Sequence, residues 1–135
     1  MKEEISYLIQ RRILLFILLL ASVGVRAQQK EIAYIESTQN WHYLYDSQGH
    51  RIVGYSRSSV GDVVGWSTTF FIGKNNGFYR IYDVQGRVLK ALSINSVGEV
   101  LSVSGDTFTS RLGSWIYIWD KNGKKIGSHS VNSNK

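Results

Sequence analysis

Three histidines, His42, His50 and His129, are the side chains best suited to exchange protons near neutral pH. A zinc site would set histidines at His-x-x-x-His spacing or add thiolate ligands. Here the histidines are scattered and the chain has no cysteine. Nucleophilic catalysis asks for a Gly-x-Ser-x-Gly elbow or a serine poised against a histidine, and no such segment occurs. Gly73-Lys74 lacks both the glycine five residues earlier and the following Ser or Thr of a phosphate loop. Two carboxylate pairs, Asp62 with Glu99 and Asp83 with Asp120, have the residue types for glycoside hydrolysis. Both pairs are 37 residues apart, a spacing that structure alone explains below. We therefore expect no enzyme, no cofactor and no metal site, with a small secreted hydrolase as the distant alternative.

The spacing of 37 belongs to the whole chain. Trp41-His-Tyr-Leu-Tyr-Asp-Ser-Gln-Gly49, Phe78-Tyr-Arg-Ile-Tyr-Asp-Val-Gln-Gly86 and Trp115-Ile-Tyr-Ile-Trp-Asp-Lys-Asn-Gly123 are copies of one segment, since 78 − 41 and 115 − 78 both give 37. Ser58-Ser-Val-Gly-Asp-Val63 falls on Asn95-Ser-Val-Gly-Glu-Val100 in the same register. A fixed period of this size marks a repeat architecture in which units stack on their neighbours. In that alignment His42 replaces Tyr79, His129 replaces Leu92, and His50 replaces Arg87 and Lys124 just after a turn.

Each unit reads as strands. Short Val, Ile, Tyr, Trp and Phe runs alternate with Gly, Asn, Ser and Asp, and no stretch after the first thirty residues shows helical spacing. Strands are predicted at 32–36, 41–46 and 51–57, then 62–67, 69–73, 78–83 and 88–94, then 99–104, 107–111, 115–120 and 125–131. The fold class is all-β: an antiparallel meander of about eleven strands in three 37-residue repeats, at about 31–66, 68–103 and 105–135. The first repeat lacks its leading strand and the last is truncated.

Asp46/Gly49, Asp83/Gly86 and Asp120/Gly123 form Asp-x-x-Gly elements. Asp can bond the backbone two residues on, and Gly can take positive φ, so each element predicts a structural hairpin turn. Calcium is the competing chemistry, but the alternating oxygen ligands and closing Glu of an EF-type loop are missing. The strand before each turn is apolar on both faces, which places it between layers. After the turn, Gly54, Ala91 and Ser128 recur, and small residues there would admit the aromatics of the next unit.

Tyr45-Asp-Ser-Gln-Gly-His-Arg-Ile52, Tyr82-Asp-Val-Gln-Gly-Arg-Val-Leu89 and Trp119-Asp-Lys-Asn-Gly-Lys-Lys-Ile126 resemble the YD-type (Rhs-like) repeats of secreted bacterial β-repeat proteins and the inner hairpin of a β-propeller blade. The propeller resemblance implies blade-like stacking of four-stranded units. A β-trefoil and a continuous spiral YD-like sheet are the alternative closures.

The first residues have the layout of a signal peptide. A leader with Lys2, Arg11 and Arg12 precedes the aliphatic Ile13–Ala21 run, and Val25-Arg-Ala27 supplies small residues for cleavage. The run is short of the roughly 20 residues that span a bilayer. Residues 1–27 are thus expected to be removed, leaving one exported domain, 28–135, periplasmic or extracellular and without stable membrane insertion. Cleavage takes the net charge from +6 to +4. The remaining Lys and Arg are scattered, which argues against nucleic acid.

Four tryptophans and eight tyrosines leave a binding role as the best reading, with a glycan or a protein as ligand. Tyr43, Arg80 and Tyr117 occupy one repeat position, and the tolerance of arginine there points to solvent. Trp66 stands where the next repeat has Val103. These four are the candidate ligand-binding residues. A structural protein that pairs through sheet edges is the alternative, and an open three-unit array would either pair into a homodimer or close on itself.

Overall fold

The computed structural model describes residues 30–131. Signal cleavage at Ala27 and the last four residues lie outside them. Eleven strands form three separate antiparallel sheets. Sheet 1 holds β1 (Tyr34–Ser37), β2 (Trp41–Tyr45) and β3 (Arg51–Ser56). Sheet 2 holds β4 (Asp62–Trp66), β5 (Phe70–Asn75), β6 (Phe78–Asp83) and β7 (Val88–Ser93), and sheet 3 holds β8 (Glu99–Ser104), β9 (Thr107–Leu112), β10 (Trp115–Asp120) and β11 (Lys125–Ser130). Within each sheet the strands follow chain order. This is the blade-like arrangement. A trefoil would close a barrel and a spiral would run as one sheet.

The eleven strands fall within a few residues of those predicted, but two helices were not foreseen. α1 (Arg57–Val60) and α2 (Ile94–Val97) carry the chain from the outer strand of one blade to the first strand of the next. Four residues are too few to display a 3.6-residue period, so the pattern was silent. Each helix buries one valine, Val60 or Val97, and ends on Gly61 or Gly98 at φ +79° or +82°. A Cβ at Gly61 would strike the carbonyl oxygen of Lys74, and one at Gly98 that of Arg111. Glycine is required there twice over, by conformation and by space.

Two apolar layers hold the blades together. Leu44, Ile32 and Val60 meet Phe71 and Tyr82 between blades 1 and 2. Phe70, Ile72, Tyr79, Ile81 and Val97 meet Phe108 and Trp119 between blades 2 and 3. β4 and β8 are the neighbouring first strands of blades 2 and 3, and a Cβ on Gly65 would come within 2.5 Å of Val103 Cγ2. Polar latches supplement these layers. The Tyr79 hydroxyl donates to the Gly98 carbonyl at 2.7 Å. The equivalent His42, only 1% exposed, donates from Nε2 to the Gly61 carbonyl at 2.6 Å. Its Nδ1 therefore accepts from Ser37 Oγ at 2.7 Å. His42 is a joint between blades.

The Asp-x-x-Gly elements are three-residue hairpin loops with a bulge. Gly49, Gly86 and Gly123 lie at φ +81°, +84° and +79°, and their amides donate to the Asp46, Asp83 and Asp120 carbonyls at 3.0–3.1 Å. Pairing slips by one residue after Leu44, Ile81 and Ile118. One expectation about small residues needs correcting. Gly54 makes room for Tyr43 of its own sheet, whose Cδ1 would lie 2.9 Å from an added Cβ. The close approach between blades falls to the turn glycines: Gly86 abuts Tyr55 and Gly123 abuts Lys90.

Candidate functional site

Strand alternation puts side chains of opposite parity on opposite faces of each blade. Tyr34, Trp41, Tyr43 and Tyr45 share the face of blade 1 that turns away from blade 2, because Leu44, Ile35 and His42 take the covered face. Tyr34 stacks on Tyr45 with ring centroids 4.7 Å apart and planes 9° apart. Trp41 and Tyr43 lie nearly parallel at 6.3 Å. The Arg51 guanidinium sits 3.9 Å over the Tyr43 ring. The same guanidinium lies 6.0 Å from the Tyr45 ring.

The same stacked pair recurs in every blade. Phe71 stacks on Tyr82 at 4.9 Å and 12°, and Phe108 on Trp119 at 6.0 Å and 8°. Those pairs press on the preceding blade and are buried, Phe71 at 0% and Phe108 at 1% exposure, whereas Tyr34 is 44% exposed. Blade 1 therefore displays in the open a motif that is interior elsewhere. Among the described residues its β1 also stands at a sheet edge, where β5 and β9 have β4 and β8 beside them.

The opposite open face, on blade 3, is different. Thr107 and Thr109 stand where blade 2 buries Phe70 and Ile72, and the Ser102 and Thr109 hydroxyls are 2.7 Å apart. Ile116 and Ile118 are half-buried there.

Of the four residues read as ligand-binding, only Tyr43 belongs to the uncovered face. Arg80 is half-buried on the side of blade 2 that faces blade 1, 5.8 Å from the Phe78 ring. Tyr117 packs on the layer between blades 2 and 3, with Lys125 Nζ 3.7 Å from its ring. Trp66, 40% exposed, ends the first strand of blade 2. One repeat position is necessarily distributed over three sheets, so these residues do not converge. Tyr34, Trp41 and Tyr45 were passed over because their repeat equivalents read as core.

The turn aspartates and Asp62 have structural partners. Asp46 Oδ1 accepts from the amides of Gln48 and His50 at 3.0 and 2.8 Å, and the His50 amide is the largest cause that lowers its pKa. Asp83 accepts from the Arg87 amide and Nε, both at 2.9 Å. Asp120 accepts from Asn122 and Lys124. Asp62 is paired with Arg57 at 2.7 Å, which lowers its pKa, the reverse of what a general acid needs. Among the described residues no three His, Asp or Glu side chains converge as metal ligands. The Tyr55 hydroxyl, by contrast, is buried without a partner against Gly86, and burial raises its pKa.

No family model matches the chain, and no curated protein matches it. Among solved structures, Hsv2 from Kluyveromyces marxianus is similar at 14% identity and a TM-score of 0.49, covering 76% of this chain and 40% of its own. Hsv2 from Kluyveromyces lactis gives 18% identity and a TM-score of 0.48, with 72% and 32% covered. The chain thus spans less than half the length of either.

Proposed function

We propose that the protein is an exported, non-catalytic interaction module that docks a protein partner on the uncovered aromatic face of blade 1. The supporting observation is the Tyr34–Tyr45 stack. Its equivalents in blades 2 and 3 are covered by a neighbouring sheet, so this face is shaped to receive one. Tyrosine and tryptophan suit such a role because they bring large apolar area with few rotatable bonds. Export rests on the N-terminal layout described above.

The test replaces Tyr34 and Tyr45 together with lysine. The expected result is a folded protein that leaves the complex formed by the wild type in its exported fraction, seen as a fall in mass by size exclusion with light scattering. Equal masses for the two proteins would contradict the proposal.

A second reading, assembly through sheet edges, is favoured by β1, whose outer side pairs with no other strand among the described residues. In that reading the partner is another copy of the chain. Purified protein would then show a dimer mass that falls on dilution. A monomer at every concentration would assign the face to a different protein.

A further inference from the structure

We propose that Trp41, Phe78 and Trp115 form a track that binds a linear, uncharged polysaccharide. These residues open the third strand of the full blade in each copy, beside the hairpin turns at 38–40, 75–77 and 112–114 and opposite Ser56, Ser93 and Ser130. They therefore lie along one side of the stack, the side that carries α1 and α2.

Their exposure is 45%, 43% and 46%. Phe78 and Trp115 keep this exposure although a preceding blade lies against their face, and Trp41, which also borders the bare face of blade 1, is no more exposed than they are. This separates the track from the Tyr34–Tyr45 pair, whose equivalents in blades 2 and 3 are buried. Three large rings kept in water at every repeat require another account.

The surroundings specify the chemistry. In the segments that flank the rings, 38–40, 56–59, 75–77, 93–97 and 112–114, side-chain amides and hydroxyls dominate. The guanidinium groups beside the rings are Arg57, Arg80, 5.8 Å from the Phe78 ring, and Arg111, whose Nε donates to the Gly113 carbonyl at 3.1 Å. Arg57 is itself committed to Asp62 at 2.7 Å and the Thr38 carbonyl at 3.0 Å. The three guanidinium groups stand singly, one near each ring, so a phosphate-bearing ligand or an acidic surface would find no cluster of charge. At Trp41 the ring borders a hollow of about 490 Å³ lined by Gln39, Asn40, Ser56, Arg57 and Ser58. A pyranose with equatorial hydroxyls matches this combination. Its C–H face lies on an aromatic ring while its rim of hydroxyls meets amides and serines.

The rings are also separated by a blade each, about 10 Å for sheets packed face to face. A protein hot spot concentrates its apolar contacts in one centre. Platforms at intervals instead suit a polymer that repeats its own chemistry along its length.

Affinity electrophoresis tests this with hydroxyethylcellulose, xylan or no polysaccharide in the gel. The expected result is retardation by at least one polymer, weakened about three- to tenfold by each of Trp41→Ala, Phe78→Ala and Trp115→Ala, and lost in the triple variant. Trp66→Ala, exposed on the opposite side of the stack, should be retarded as much as the wild type, as should the Tyr34→Lys/Tyr45→Lys variant that addresses the blade 1 face, each relative to its own mobility in the polymer-free gel. Unchanged melting temperatures show that the variants are folded. Absence of retardation by either polymer, a triple variant retarded like the wild type, or an equal loss in Trp66→Ala would overturn the proposal.

Discussion

Blades 1 and 2 carry the same ring pair in the same geometry, yet Phe71–Tyr82 is core while Tyr34–Tyr45 is surface. The difference lies in what stands next to each pair. In blade 2 the residues that cover it are Leu44, Ile32 and Val60 of the preceding unit. Blade 1 has no such unit among the described residues. The hydroxyls of Tyr34 and Tyr45 suit a surface wet at one time and covered at another. Blade 3 mixes threonines with the half-buried Ile116 and Ile118 at its open face, and its Leu101 and Ile126 are 50% and 53% exposed. The two end faces therefore differ in kind, stacked aromatic rings on blade 1 and threonine with aliphatic side chains on blade 3.

The comparison is broken most severely in the core. Phe71→Ala should cost about 3–5 kcal/mol, and Tyr34→Ala less than about 1 kcal/mol, by chemical denaturation. Equal losses would mean that the blade 1 pair is as structural as its buried counterpart.

The turn glycines sharpen it next. Gly49 and Gly86 share their φ, but an added Cβ meets nothing within 4 Å at Gly49 and runs into Tyr55 at Gly86. Gly49→Ala should cost on the order of 1 kcal/mol from positive φ alone, and Gly86→Ala about 1–3 kcal/mol more, from overpacking. Melting curves of the two variants check this. Asn, which tolerates positive φ, should rescue position 49 and fail at 86.

Alkaline pH acts on the covered layers. Burial raises the pKa of Tyr55, Tyr79 and Tyr82, so the unfolded chain surrenders those protons first. Their contribution is complete below about pH 10, the unfolded value, and is lost as pH rises through the folded values. A falling denaturation midpoint above that pH is expected. A flat profile would contradict it. The smallest effect belongs to Tyr55→Phe. Removing a buried hydroxyl without a partner should leave stability unchanged or slightly raised.

Much of the fold was legible because the period of 37 and the strand pattern report the same unit. The Asp-x-x-Gly turns were legible because their chemistry is local. α1 and α2 were not, being single turns. The site was less legible still. Tyr34 and Tyr45 have the residue types of core, and only the absence of a covering blade makes them surface. Gly54 reads in the sequence as the residue that admits the next unit's aromatics and Gly86 as a turn glycine alone, while the three-dimensional partners, Tyr43 within a sheet and Tyr55 across blades, put the close approach between blades at Gly86.

Hydroxyl-radical footprinting of tyrosine oxidation tests the central claim most directly. In the dilute purified protein, Tyr34 and Tyr45 should oxidise readily and Tyr82 should stay protected. In the exported fraction, where the partner is present, Tyr34 and Tyr45 should gain protection while Tyr82 does not change. Equal oxidation of Tyr34 and Tyr45 in both samples would contradict the assignment of this face as a docking surface.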